Sequence, residues 1–238
     1  MSEAQSAPAL PPVVRWLAEA IESGNPLAPL PAELAPATVA QGQEIAALVL
    51  EELGLVACGL RLGPGPQGRE VPGPLLEARL LRDGAVLALG ALPHARARPG
   101  IAGLLAAPLE PGASPPRFAS LHPALDISAS RFAQGAADDA CHAADLGGLG
   151  LVLLGAARRP PEGMVPVALR RNRGRRVRAV PMDAMAALGR AAGAAREAGG
   201  LPAGALLLAL LGPGKAPQAG EELIADLGQL GRVRGLIR

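Results

Sequence analysis

The residues best suited to chemistry are scattered along the chain, and each is informative by type. Asp126 sits in His122-Pro123-Ala124-Leu125-Asp126-Ile127, a carboxylate inside an apolar run with Ser130-Arg131 just beyond it. A carboxylate so placed can neutralise a cation, ligate a metal or move a proton. Arg61, within Cys58-Gly59-Leu60-Arg61-Leu62-Gly63, and Arg98, before Pro99-Gly100, are candidate clamps for an anionic ligand. A guanidinium keeps its proton near neutral pH, so it can grip a carboxylate but cannot act as a base. Glu77 lies in an expected hairpin strand and is the second candidate acid or base beside Asp126. Asp139 and His142 are further candidate ligand-binding residues. Cys141 beside His142 pairs a nucleophile with a base in name only. Neighbours on a strand point to opposite faces, and on a helix they diverge by about 100°.

Other features carry less. Gly63-Pro64-Gly65-Pro66 lacks the Lys-Ser/Thr ending and the following helix of a phosphate loop. His94 and His122 flank prolines and read as turn or surface residues. Arg170, Arg171, Arg173, Arg175, Arg176 and Arg178 place six cations in nine residues, enough to attract a polyanion. They fall on an expected hairpin with no aromatic nearby for base stacking, so a solvated hairpin or a contact to acidic residues is the expectation, and nucleic acid is not. Cys58 and Cys141 form no metal-binding spacing and imply no disulfide framework.

Elements must bring these residues together, and composition bounds what they can be. The 238 residues carry a net charge of +2, with 50% hydrophobic and 18% charged residues, which excludes an acidic disordered chain and a strongly basic arm. Alanine fills the tolerant sites and arginine replaces lysine, which reads as a compositional bias. Lysine is represented only by Lys215, and tyrosine is absent, which limits Schiff-base chemistry to that lysine and removes a tyrosine acid. The start of the chain lacks a positive signal-peptide region and the longest apolar runs are too short to span a bilayer, so the expected location is the cytoplasm, with no membrane partner.

Residues 1–12 are expected to be flexible and residues 13–238 to form one domain, helical over 13–54 and β-rich over 55–238. The apolar spacing predicts helices over 13–22, 39–53 and 182–198, with Thr38 as an N-cap. Strands are expected over 56–62, 75–81, 85–89, 101–105, 118–127, 149–154, 165–169, 175–180, 206–210, 222–226 and 232–237. Asp83-Gly84 predicts a hairpin between the second and third of these, and Asn172-Arg173-Gly174 another. Together they give an α+β fold around one curved β core.

The order of these segments resembles the 2-keto-4-pentenoate hydratases of the fumarylacetoacetate hydrolase superfamily from about Val13 onward. Pro123-Ala124-Leu125-Asp126-Ile127 with Ser130-Arg131, Ala137-Asp138-Asp139-Ala140, and the last forty residues carry the likeness. It implies a mixed β-roll in which carboxylates hold Mg²⁺ or Mn²⁺, and the metal grips the oxygens of a 2-oxo acid. The chain departs from that pattern. Arg61 matches the family's lysine, Arg98 and Gly100 match two metal-binding glutamates, and Asp126 alone keeps a carboxylate at the third. The resulting expectation is a hydratase-like protein without the metal site and without a cofactor. It would bind a small carboxylate or 2-oxo acid, or serve as a non-catalytic subunit beside a catalytic paralogue or a second copy. The rivals are an active hydratase or decarboxylase using Asp126, Glu77 and Arg61, and a polyanion-binding module built on Arg170–Arg178.

Overall fold

The computed structural model describes residues 11–112, 114–172 and 177–238. The expected flexible start falls almost wholly outside these residues; Pro12, at its end, is already the first residue of a helix. Helices α1 (Pro12–Ser23) and α2 (Val39–Glu52) fall where apolar spacing placed them. Thr38 caps α2 by accepting a hydrogen bond from the Gln41 backbone N–H. The strands follow: β1 (Ala57–Pro64), β2 (Glu70–Leu76), β3 (Leu80–Arg82), β4 (Ala85–Leu87), β5 (Arg96–Leu105) and β6 (Phe118–Ser128). After a short helix α3 (Asp139–Ala144) come β7 (Leu151–Leu154), β8 (Val165–Arg171), β9 (Val180–Met182), α4 (Ala184–Glu197), β10 (Leu206–Leu210), β11 (Glu222–Asp226) and β12 (Arg232–Ile237).

Seven strands form one mixed sheet in the order β2-β1-β10-β5-β6-β7-β3, and five form a second in the order β4-β12-β11-β8-β9. This is the curled α+β arrangement expected. The large sheet is buried on both faces. Leu60 and Leu62 of β1, with Leu125, Leu207 and Ile101, pack against α4 and the second sheet. Ala102, Ala124, Val152 and Leu208, on the opposite face, pack against α1, α2 and α3. The alternation along β1 therefore sends Arg61 to the helix-covered face. No helix among the described residues is long and apolar enough to cross a membrane.

Several local expectations are corrected. Asp83-Gly84 does not close a hairpin: β3 pairs with β7 and β4 with β12, each in parallel, so the turn carries the chain from one sheet to the other. The turn is pinned by β12 instead, through Arg234 N–H to Asp83 Oδ1 (2.7 Å) and Gly84 N–H to the Arg234 carbonyl (2.8 Å). Three-residue strands leave most of their backbone groups to longer neighbours, which outweigh the local turn preference. Between the expected strands 56–62 and 75–81 the chain is not all loop: β2 starts at Glu70, because an edge strand tolerates Pro72 and Pro74. Met182 belongs to β9, and α4 starts after Asp183, whose carboxylate caps the Ala186 N–H. β8 does pair with the strand that follows it, but that strand is Val180–Met182, so residues 177–179, expected as strand, are not, and the expected tight turn at 172–174 is not reproduced; residues 173–176 lie outside the described residues.

Helix α3, absent from the expected elements, sits on α2 through Gly42. A Cβ at this glycine would lie 2.2 Å from the Ala140 carbonyl oxygen and 2.8 Å from Ala143 Cβ. Gly42→Ala should therefore destabilise the protein by about 1–3 kcal/mol, despite alanine's better helix propensity of roughly 1 kcal/mol. A denaturant midpoint equal to or above wild type would show that the two helices can separate freely.

Candidate functional site

Arg61 points from β1 into the helix-covered side of the large sheet and is 1% exposed; Asp126 on β6 is 0% exposed. Arg61 Nε donates to Asp126 Oδ1 (2.7 Å) and a terminal nitrogen donates to Oδ2 (2.8 Å), a two-point pairing. The other terminal nitrogen donates to the Gly147 carbonyl (2.6 Å), in the single turn Leu146–Gly148 that follows α3. Both charges are thus spent on each other in the interior. The expected ligand clamp is occupied by its own chain.

Arg98 stands directly opposite Asp126 in the β5–β6 register. It is half-buried, and no described residue gives its guanidinium a hydrogen bond or an ion pair. Gly214 makes room for it, since a Cβ there would lie 2.7 Å from Arg98 Cζ. Burial lowers the pKa of Arg98, Asp126 raises it, and Arg61 and Arg96 lower it further. This cation lacks a counter-charge of its own.

Helix α3 supplies two polar groups one turn apart. Asp138 caps the helix by accepting from the Cys141 N–H (2.7 Å), which fixes the orientation of the residues that follow. Asp139 is 2% exposed; its Oδ1 accepts from the Gln67 N–H (3.0 Å), and its Oδ2 is buried without a partner. His142 packs on Gly148, where a Cβ would lie 2.3 Å from its Cε1. Its Nε2 is also buried and unpartnered. Burial pushes the His142 pKa down to about 3, helped by Arg61, Arg131 and Arg98 and opposed by a hydrogen bond to the Gly147 carbonyl. The ring is neutral at physiological pH. Because Nε2 has no partner, the ring proton belongs on Nδ1 toward Gly147, which leaves Nε2 as an acceptor.

Other candidates lie apart. Glu77 is exposed in a single turn after β2, not in a hairpin strand. Its end of the β1–β2 pair is four residues from Arg61, roughly 13 Å along the strand, so it does not join Asp126. Cys141 packs into the core among α1 and α2, away from His142, and its thiol is pushed up to about 11 by burial and by Asp138 and Asp145. No nucleophile–base dyad forms. His122 is a part-buried strand residue, not a turn residue, bonded to Ser120 Oγ (3.0 Å) and the Gly155 carbonyl (2.9 Å). In the arginine cluster, Arg170 pairs with Asp226 (2.8 Å) and Arg171 with Glu221 (3.2 Å) of the same chain. Arg173, Arg175 and Arg176 lie outside the described residues. Sequence reasoning passed over the Gly147 carbonyl and Gly214; the Gly147-Gly148 doublet after α3 was the available signal.

The site is a buried guanidinium–carboxylate pair on a mixed, curled sheet, with Arg98 opposite it and His142 of a short helix near by. No protein-family model matches the chain, and no curated protein sequence does. Solved structures do match. 4-Oxalocrotonate decarboxylase from Pseudomonas putida G7, complexed with magnesium and adipate, superposes with a TM-score of 0.80 at 18% identity, covering 98% of this chain and 100% of that one. The same enzyme complexed with calcium and acetate gives 0.70 at 17% identity, covering 95% and 96%. 2-Hydroxyhepta-2,4-diene-1,7-dioate isomerase from Mycobacterium marinum gives 0.55 at 10% identity, covering 77% and 75%. The fold is that of the fumarylacetoacetate hydrolase superfamily, as the resemblance implied.

These structures correct one expectation. No cofactor was expected, yet both decarboxylase structures hold a divalent cation, so the fold is one that accommodates such an ion. The residues around Asp126 do not fit it. Both carboxylate oxygens face Arg61, Arg98 stands opposite, and no group of three or more His, Cys, Asp or Glu side chains is placed to hold a metal among the described residues.

Proposed function

We propose that this protein binds a small 2-oxo acid, in its enol or 2-hydroxy form, as a relative in fold of the decarboxylase and isomerase on which it superposes. The observation carrying this reading is Arg98, a half-buried cation without a partner among the described residues, beside an ion pair that is already neutral. The ligand carboxylate would take two hydrogen bonds from Arg98, in the geometry that guanidinium and carboxylate share. The two unpartnered acceptors, Asp139 Oδ2 and His142 Nε2, favour a ligand that brings a hydroxyl donor, because a buried acceptor left unpaired costs about 1–3 kcal/mol. An enol or 2-hydroxy acid offers a carboxylate and a hydroxyl on adjacent carbons. The Arg61–Asp126 pair orders the floor of the site and contributes no net charge. His142, neutral and with a free lone pair, can accept a hydrogen bond from the bound hydroxyl, but a ring whose pKa is held at about 3 is too weak a base to take the proton.

The test is calorimetric titration with 2-oxo acids, 2-hydroxy acids and adipate, each with and without Mg²⁺, on wild type and Arg98→Ala. Charge-assisted pairing is worth about 1.5–3 kcal/mol, so Arg98→Ala should weaken binding roughly 10- to 150-fold. Equal binding by both proteins would remove Arg98 from the site. If no acid binds wild type under either condition, a scaffold or partner-subunit role becomes the better account. Turnover of 2-hydroxypenta-2,4-dienoate would instead mark a working lyase.

A further inference from the structure

A second cationic cavity lies on another part of the molecule, and it does not depend on the reading of Arg98. It measures about 60 Å³ and is bounded by the C-terminal end of α1 with Asn25, by Arg79, and by the Ser130-Arg131 segment. Arg131 is fully engaged on its inner side. Its Nε donates to Asp145 Oδ1, one terminal nitrogen to the Leu149 carbonyl and the other to the Asp145 carbonyl. Asp145, 0% exposed, also accepts from Ser130 Oγ (2.8 Å) and the Arg131 N–H (3.0 Å). Its charge and lone pairs are used, and it cannot neutralise another cation.

Arg79 is that other cation. It closes the single turn Glu77–Arg79, is half-buried and lines the cavity. No described residue gives it a hydrogen bond or an ion pair. Its pKa is lowered by burial and by the like charge of Arg131. The end of α1 offers partial negative charge from its carbonyls, which is less than one full charge. The cavity is therefore a polar space beside two guanidinium groups with only one carboxylate between them.

We propose that this cavity binds a small inorganic anion, with Arg79 as its principal donor, Arg131 contributing charge and the Asn25 amide at the rim. At roughly 10–15 Å³ of such space per water, the cavity has room for a few waters, and so for a halide or a single oxyanion. Such an ion would tie α1 to the segment that follows β6, and with it the α1-covered face of the large sheet.

Inorganic phosphate is the probe, titrated at constant ionic strength into Arg98→Gln, a background that removes the carboxylate site. Saturable stabilisation in thermal unfolding is expected there, and Arg79→Gln in the same background should weaken it at least tenfold. Retention of phosphate affinity within twofold in the Arg79→Gln protein would overturn the proposal, as would an absence of saturable binding in Arg98→Gln. Should Arg79→Gln fail to fold, Arg79→Lys keeps the charge without the planar donor edge. A severalfold loss is then expected, and unchanged affinity would refute the assignment.

Discussion

Replacing Asp126 with alanine should destabilise the fold by about 3–5 kcal/mol, the cost of stranding a buried cation. Arg61 is 1% exposed, and after the change its Nε and one terminal nitrogen would face no acceptor and no water. Only the Gly147 carbonyl would remain to it. At roughly 2–4 °C per kcal/mol for a chain of this size, the melting temperature should fall by about 6–20 °C. The double variant Arg61→Met/Asp126→Leu should recover most of the loss. It removes both charges, and with them the desolvation penalty, while keeping apolar volume in place. Denaturant midpoints of the single and double variants check this. A single variant within about 0.5 kcal/mol of wild type would mean that water reaches the pair and that the site is open there.

The second large effect is a dependence on pH. His142 has an ordinary pKa of 6.5 that burial and the surrounding arginines push down to about 3. The unfolded chain therefore binds a proton at this residue over a range where the native protein does not. Stability from this group is fully present above pH 6.5 and is lost as pH falls from 6.5 towards 3. At about 1.36 kcal/mol per pH unit the loss is on the order of 5 kcal/mol across that window. His142→Gln should flatten this part of the stability profile, because glutamine offers an acceptor without titrating. Unfolding free energies at several pH values between 3 and 7 would show it. Parallel wild-type and variant profiles would place the imidazole in contact with solvent.

Much of the architecture was legible in the chain because it rests on local regularities. The apolar spacing of Val13, Trp16, Leu17 and Ala20 defines α1, and Thr38 marks the start of α2, since helix periodicity and capping are short-range effects. The central strands β5, β6, β10, β11 and β12 could be read from their apolar runs for the same reason. Helix α3 escaped notice because six residues give no periodicity, and its close seat on Gly42 is a tertiary contact. The Asp83-Gly84 turn was misjudged because a turn sequence states that the chain reverses and says nothing of which strands then pair. β3 and β4 found partners in different sheets.

The site divides in the same way. The sequence by itself determined the chemical types available: one carboxylate in an apolar run, arginines where a proton-releasing lysine would be needed for a base, and a histidine three residues after Asp139. Only the tertiary structure decided their roles. It joined Arg61 to Asp126 across 65 positions, and so converted the expected ligand clamp into an internal ion pair. Placing Arg98 in register with Asp126, with no hydrogen-bond or ion-pair partner among the described residues, made it the open cation. Glu77, equally acidic in sequence, was left on the surface at the far end of β2. Charge is a property of a side chain, whereas free charge is a property of its surroundings, and burial and pairing exist only once the sheet has curled.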